Sequence, residues 1–456
     1  MDANNRQNGF DLARVNPVSG TPGVITFAGR DGLGRTVWNG DYNNWAPRFG
    51  FAWKPGGSTR TVIRASYGIF YGPPLPGSNN MTAGFEIAGD FQSPDNGITP
   101  AFLLRNGFPA VPPPADLTPG FAAVRVGQPV RYAPQFIETN RQLGYSQQWN
   151  FTIQRELGWN TLFDIGYVAN VGHKLNGPNT SINQVPPALM GAGGAQVRRP
   201  FPQFANVVSV SPMWGNSSYH SMNAKLEKRF SGGLNFLSNY TYSKFIDDVA
   251  AGFENGNVPG GIQNLYDRRA EKALSGNDVR HRFNTSSVYE LPWGRGRRWM
   301  NGGASAFLLG GWNIGTLLTL QQGSPNGVST QVNSTNSFNP GTQRANLLRN
   351  PTLPKNQRGV NRWFDTTALV APQQFTFGNS GRALFEGPGL VNLDLSLLKN
   401  FRWGEGYNAQ FRLESFNIAN RANFDDPNTS LGSAGFGVIG AARSARSVQL
   451  GLRLEF

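Results

Sequence analysis

The chain closes on residues 447–456, SVQLGLRLEF, where Val448, Leu450, Leu452, Leu454 and Phe456 alternate with Gln449, Gly451, Arg453 and Glu455. A period of two belongs to a β-strand with one apolar and one polar face. An apolar outer face over a polar inner one suits a transmembrane β-barrel, because lipid accommodates side chains but no unpaired backbone groups. A half-buried strand of a soluble sandwich carries the same alternation. The rest of the chain has to separate the two.

Composition points to a β-rich, turn-rich protein. Charged residues make up 15% of the 456 positions, against ~25% in soluble globular domains, while Gly (57) and aromatic residues (12%) are abundant. No apolar run approaches the ~20 residues of a membrane helix. That excludes a helical membrane protein but not a barrel, whose strands are apolar at alternate positions. There is no Cys, so disulfides, thiolate metal sites and Cys nucleophiles are excluded together. The net charge of +14 is spread through turns, loops and polar strand faces rather than gathered in a stripe, which argues against nucleic acid as a partner. The opening MDANNRQNGFDLARVNP lacks the basic, apolar and small-residue regions of a secretory signal, so an exported form is expected to carry more chain upstream. Residues 1–44 read as a polar, Gly-rich loop on the extracellular side, with GVITFAG and RTVWNG as short hairpin pieces.

From Trp45 the strands come in pairs, and residues 45–456 read as barrel strands and loops. APRFGFAW aligns Phe49, Phe51 and Trp53, and after a short turn TVIRASYGIFY aligns Ile63, Ala65, Tyr67, Ile69 and Tyr71. QQWNFTIQREL and TLFDIGYVANV form the next hairpin across Gly158, Trp159 and Asn160. The strand from about His220 to Arg229 turns at SGG into LNFLSNYTYSKF; VRHRFNTSSVYEL turns through PWGRGRRWMNGG into LLGGWNIGTLLTLQQ; LVNLDLSLLKNF turns through RWGEG into YNAQFRLESFNI. Between these hairpins lie long stretches such as residues 72–143 and 323–388. Soluble domains seldom carry loops beyond ~12–15 residues, whereas outer-membrane barrels combine short periplasmic turns with long extracellular loops. The fold class expected is therefore all-β, an antiparallel transmembrane barrel. Trp53, Trp159, Trp293, Trp299 and Trp403 all fall at or beside the short turns, as an interfacial aromatic girdle requires.

Eleven strands can be counted from Trp45 to Phe456. Closed single-chain bacterial barrels have even strand numbers, so the expectation is a further strand in residues 1–44 or in a long loop, or else a chain forming the C-terminal part of a larger barrel.

The stretches APRFGFAW, TVIRASYGIFY, NYTYSKFIDD, NDVRHRFNTSSVYELPWGRGRRW, LVNLDLSLLKNF, FRLESFNIANRANF and SVQLGLRLEF, in this order, resemble the barrel of TonB-dependent receptors of the Oar-like group. The resemblance covers residues 45–456 and implies a plugged barrel of about twenty-two strands, of which eleven would be the C-terminal half, with signal peptide and plug not represented here. It implies residence in the bacterial outer membrane among lipid and lipopolysaccharide, with recognition of Val448, Leu450, Leu452, Leu454 and Phe456 by the barrel-assembly machinery. An energy-transducing TonB-type partner is implied where an upstream plug segment exists.

No catalytic site is legible, and the expectation is a protein that is not an enzyme and has no cofactor. His173, His220 and His281 have no metal-ligand spacing partner, and no phosphate loop or nucleophile elbow occurs. Asp247, Asp248, Glu254, Asp267 and Asp278 make one loop acidic, which a solvated surface or a calcium site explains. Lys225, Glu227, Arg229, Asp394, Arg412, Glu414, Arg453 and Glu455 are the expected lumen-facing residues, set to pair across strands, with Phe411 and Leu413 toward lipid. The leading function is ligand recognition and uptake across the outer membrane. The alternatives are a passive porin-like channel or structural surface protein, and a secreted soluble β-protein binding carbohydrate through its aromatics.

Overall fold

The computed structural model describes residues 7–30, 34–36, 38–72, 103–107, 117–130, 132–249, 257–403 and 406–456. Its principal strands are β1 (Asn8–Val15), β2 (Pro22–Phe27), β3 (Arg48–Trp53), β4 (Thr61–Tyr71), β5 (Tyr145–Gly158), β6 (Thr161–Asn176) and β7 (Met213–Ser231). There follow β8 (Leu234–Asp247), β9 (His281–Glu290), β10 (Trp312–Gln321), β11 (Leu390–Trp403), β12 (Tyr407–Phe416) and β13 (Ser447–Glu455). Strands β3 to β13 form one sheet in chain order, each antiparallel to the next, with Ala273–Leu274 attached to the end of β8. These eleven wall strands coincide with the eleven read from the sequence. The described part of the sheet is an open meander whose edges are β3 and β13.

Register turns eleven separate alternations into one surface. Facing partners run from Trp53 through Ile63, Ile153, Ile165, Ala224, Tyr240, Phe283 and Leu320 to Val391. A second row runs from Tyr289 through Ile314, Leu397 and Leu413 to Leu450. Paired residues share a face, and a slip by one would invert it, so the apolar sets of all the strands coincide. The tight turns help to set this register: Gly232 and Gly233 both have positive φ (62° and 81°), as a two-residue hairpin matched to strand twist requires.

Two sequence expectations are corrected. Within residues 1–44, GVITFAG lies in a hairpin as expected, but its partner β1 comes from a stretch read as loop, and the described residues of RTVWNG form no strand. Val24, Ile25 and Phe27 are almost fully buried, and Phe10 packs its ring 5.6, 5.2 and 5.7 Å from those of Phe136, Phe201 and Phe204. Burying each such side chain contributes ~1.5–3 kcal/mol, and the partners that make it favourable lie more than a hundred residues away. The stretch beginning LLGG is not strand from its first residue: Gly303–Leu309 forms a short helix, α1, and β10 starts at Trp312. The Gly310-Gly311 pair separates the two, and Gly311 takes a φ of 71° that side-chain-bearing residues avoid.

The long connections fold on themselves. One apolar cluster joins the β1–β2 hairpin to Leu117, Phe136, Phe201, Phe204 and Val207. Another gathers Val328, Ala345, Phe364, Leu369 and Phe385, with Phe364 and Phe385 stacked at 4.3 Å. Together these segments cap the end of the sheet opposite the short turns.

Candidate functional site

The polar face of the wall holds the charged residues singled out above, in two groups. On β7, Lys225 lies 3.4 Å from Glu227, and Arg229 reaches the same carboxylate at 3.9 Å. On β11 to β13, Asn392 donates to Asp394 (2.9 Å), Gln449 donates to Glu414 (2.7 Å), Arg412 donates to Gln410, and Arg453 pairs with Glu455 at 2.9 Å. The ion pairs run along a strand between residues two apart, not across strands. Exposed pairs contribute ~0.2–1 kcal/mol. They keep this face hydrated, and the structure does not bring the two groups together.

A different set of residues converges where the polar face meets the cap. A cavity of about 680 Å³ is lined by Tyr219, Asn223 and Thr241 of the wall, Arg282 and Gln321 at strand ends, and Asp425, Asp426 and Arg443 of the last long loop. Burial pushes the Asp426 carboxyl above its ordinary value, and Asp425 beside it pushes the same way. The 2.9 Å hydrogen bond from Asn326 and the charge of Arg443 oppose that rise. Gln322 Oε1, on the cavity lining, is buried and accepts no hydrogen bond from a described residue. Acids, guanidinium groups and an unfilled acceptor together suit a polar solute better than an apolar one. Sequence reading missed this site because its parts come from six segments; the Asp425-Asp426 pair was its one local signal.

Two buried ion pairs tie the connection after β10 to the end of β8 and to the loop that follows it. Arg344 meets Glu271 at 2.7 Å with both side chains 2% exposed. Arg382 pairs with Asp247 and donates to Glu271 O at 2.8 Å. These contacts also engage three of the carboxylates of the acidic loop. Asp247 is taken by Arg382, Asp248 accepts from the Asn216 backbone and side chain at 2.6 and 2.8 Å, and Asp278 accepts from Phe245 N at 2.6 Å. Glu254 lies outside the described residues, and among the described ones no three potential ligands cluster.

Aromatic residues gather at both ends of the sheet. Trp53, Trp159, Trp293 and Trp299 lie at the short-turn end, where Trp293 and Trp299 bridge each other. Trp403 ends β11 at the same level, its side chain outside the described residues. The other band was not foreseen. Near the long loops, Tyr67 stacks with Trp149 at 6.5 Å, Tyr145 meets His173 at 5.4 Å, Tyr167 hydrogen-bonds His220 at 2.6 Å and Tyr240 bonds His281 at 2.8 Å. All three His residues thus belong to this aromatic belt. Beside it a second cavity, of about 720 Å³, is lined by Arg280, His281, Lys355, Arg358, Arg421 and Glu386.

The chain matches the family model described as outer membrane beta barrel domain over residues 1–449. No curated protein matches it. Among solved structures it is similar to the outer membrane transporter YddB from Escherichia coli, with 11% identity over 91% of this chain and 41% of that one and a TM-score of 0.45. It is also similar to the FrpB iron transporter from Neisseria meningitidis (12% identity, 90% and 39% covered, TM-score 0.39). A third is the siderophore receptor PiuA from Acinetobacter baumannii (10% identity, 95% and 39% covered, TM-score 0.40). The chain spans about two fifths of the length of these structures. On the strength of a family match over almost its whole length, the chain belongs to the outer membrane β-barrel family and is a protein of the bacterial outer membrane.

Proposed function

We propose that this chain supplies wall and mouth to an outer-membrane uptake receptor of the TonB-dependent type, which recognises a polar solute at the cap-covered cavity. The observation that carries the reading is that cavity: about 680 Å³, on the polar side of the wall, where strand ends meet Asp425, Asp426 and Arg443 of the last long loop. In this reading the polar face, with Lys225, Glu227, Arg229, Asp394, Arg412, Glu414, Arg453 and Glu455, lines the lumen. The basic cavity beside the Tyr-His belt faces lipopolysaccharide, and residues 1–44 belong to the extracellular cap over the barrel of residues 45–456. Strands β3 and β13 run the same way, and unpaired edges are costly at hydrocarbon depth. Antiparallel closure then takes an odd number of additional strands, which fits a chain working within a larger barrel. A TonB-type partner enters this reading through a plug segment joined to that barrel.

Planar-bilayer recording tests the receptor against the porin alternative. The receptor is expected to show no steady conductance, whereas persistent ohmic conductance from the parent and unchanged conductance after Asp425→Asn and Arg443→Gln would overturn it. The assembly role of the last residue has its own test: Phe456→Asp is expected to lower the amount of barrel in outer-membrane fractions, and normal levels would remove that role.

A further inference from the structure

The connection between β9 and β10, residues 291–311, lies at the short-turn end, yet it carries α1 on the outside of the wall. Trp312 Nε1 donates to Leu308 O at 3.2 Å, and the rings of Phe307 and Phe401 are 5.5 Å apart. By register Trp312, Lys399 and Phe401 are all on the apolar face. Lys399 is 2% exposed there, with Nζ donating to Phe307 O at 2.8 Å and to Gly310 O. Carbonyls at a helix C-terminus carry partial negative charge, so α1 supplies the partners without which a buried ammonium is untenable.

The helix buries Ala306 toward the wall and leaves Phe307, Leu308 and Leu309 exposed at 46, 57 and 43%. Three adjacent large apolar side chains, continuous with a lipid-facing sheet, are misplaced in water. The charge on the apolar face of the wall is of one sign. Among paired wall residues the register puts Arg155, Lys228, Lys244 and Lys399 on the apolar face and neither Asp nor Glu. In the same connection Arg295 and Arg298 are exposed, the latter 5.3 Å from the Trp299 ring. We propose that α1 is an interfacial anchor: Phe307, Leu308 and Leu309 enter the acyl region of the adjoining phospholipid leaflet, while Arg295 and Arg298 meet its headgroup phosphates. This inference rests on membrane placement of the wall with the short turns at one interface, and not on any transported solute.

The chain has no Cys, so single labels are clean. The full chain, folded into vesicles of phosphatidylethanolamine and phosphatidylglycerol, is labelled with an environment-sensitive fluorophore at Leu308→Cys. Leu318→Cys on the apolar face of β10 reports wall insertion, and Lys54→Cys in the β3–β4 turn reports the aqueous side. Nitroxide-bearing lipid is expected to quench the Leu308→Cys label several-fold more than iodide does, with the ratio reversed at Lys54→Cys. Iodide-dominated quenching at Leu308→Cys, while Leu318→Cys is quenched from the lipid, overturns the anchor and leaves the barrel standing. Protection from both quenchers also overturns it, since a second copy or a protein partner then covers the helix. Arg295→Gln with Arg298→Gln is expected to make the Leu308→Cys quenching shallower, and no change removes the headgroup contact.

Discussion

In the wall, apart from Lys399 beneath α1 and Asp247 at the end of β8, the buried side chains are small, such as Ala169, Ser221, Ser243, Ala409 and Ser415. The cap holds the largest of the fully buried side chains among the described residues, including Arg344, Arg382, Phe27, Phe204 and Phe364. A membrane wall uses the bilayer as its apolar phase, so its Leu, Phe and Tyr stay on the surface and the sheet is one layer thick. The cap faces water and irregular backbone must be satisfied from within. Asn183 Nδ2 alone donates to the carbonyls of Phe201, Phe204 and Ala205 at 2.9, 3.2 and 2.6 Å. The contrast teaches that one chain carries two kinds of core, one borrowed and one built.

The sharpest way to break that contrast is to remove one partner of a buried pair in the cap. Arg344→Ala leaves Glu271 buried and uncompensated, at an expected cost of ~3–5 kcal/mol. Loops of the vesicle-folded variant should become protease-sensitive while the β-sheet circular dichroism of the wall stays as in the parent. Simultaneous loss of both signals would mean that the two cores are one.

Next in size is a charge placed on the borrowed core. Phe411, which faces Leu452 and Lys399, is predicted to cost ~2–4 kcal/mol when changed to Arg near the bilayer midplane, less toward the interface. Gln410→Arg, on the opposite face beside Asn400, should be nearly silent. Folding titrations in lipid vesicles compare them, and equal costs would refute the assignment of faces.

A smaller effect concerns Asp426, whose carboxyl is held above its ordinary value by burial. A folded-state value above the unfolded one means that the folded cap binds the extra proton; the stability this gives is complete below the ordinary carboxylate range and is lost as pH rises through the raised value. Asp426→Asn should match the parent in acid and be more stable near neutrality, as read by thermal loss of protease protection at a series of pH values. The smallest expected change is at the polar face, where Lys225→Ala should shift unfolding by no more than ~1 kcal/mol.

The wall was legible because period two reads out both the strand and its face, most plainly in β3, β12 and β13. Leu308 and Leu309 were misread as strand because two residues carry no period. GVITFAG was legible as a hairpin piece, but the packing of its hairpin was not, because the apolar partners of Phe10, Ile25 and Phe27 come from residues 117–207. The mouth was illegible for a further reason: Arg282, Gln322, Asp425 and Arg443 meet only after the meander has set the strand ends side by side. The Tyr-His belt was half legible, since the parity of Tyr240 and Tyr242 was readable and their neighbour His281 was not.

Gly294 and Gly310 meet backbone to backbone beneath α1, and a Cβ on Gly294, whose φ is 106°, would lie 2.6 Å from Gly310 Cα. The seat of the helix is therefore gauged by the absence of a single carbon. A methyl at either position wedges α1 away from the wall without touching its apolar side chains, and the ammonium of Lys399 then loses its carbonyls. In this corner of the barrel, lipid contact is governed by a clearance of atomic width between two glycines.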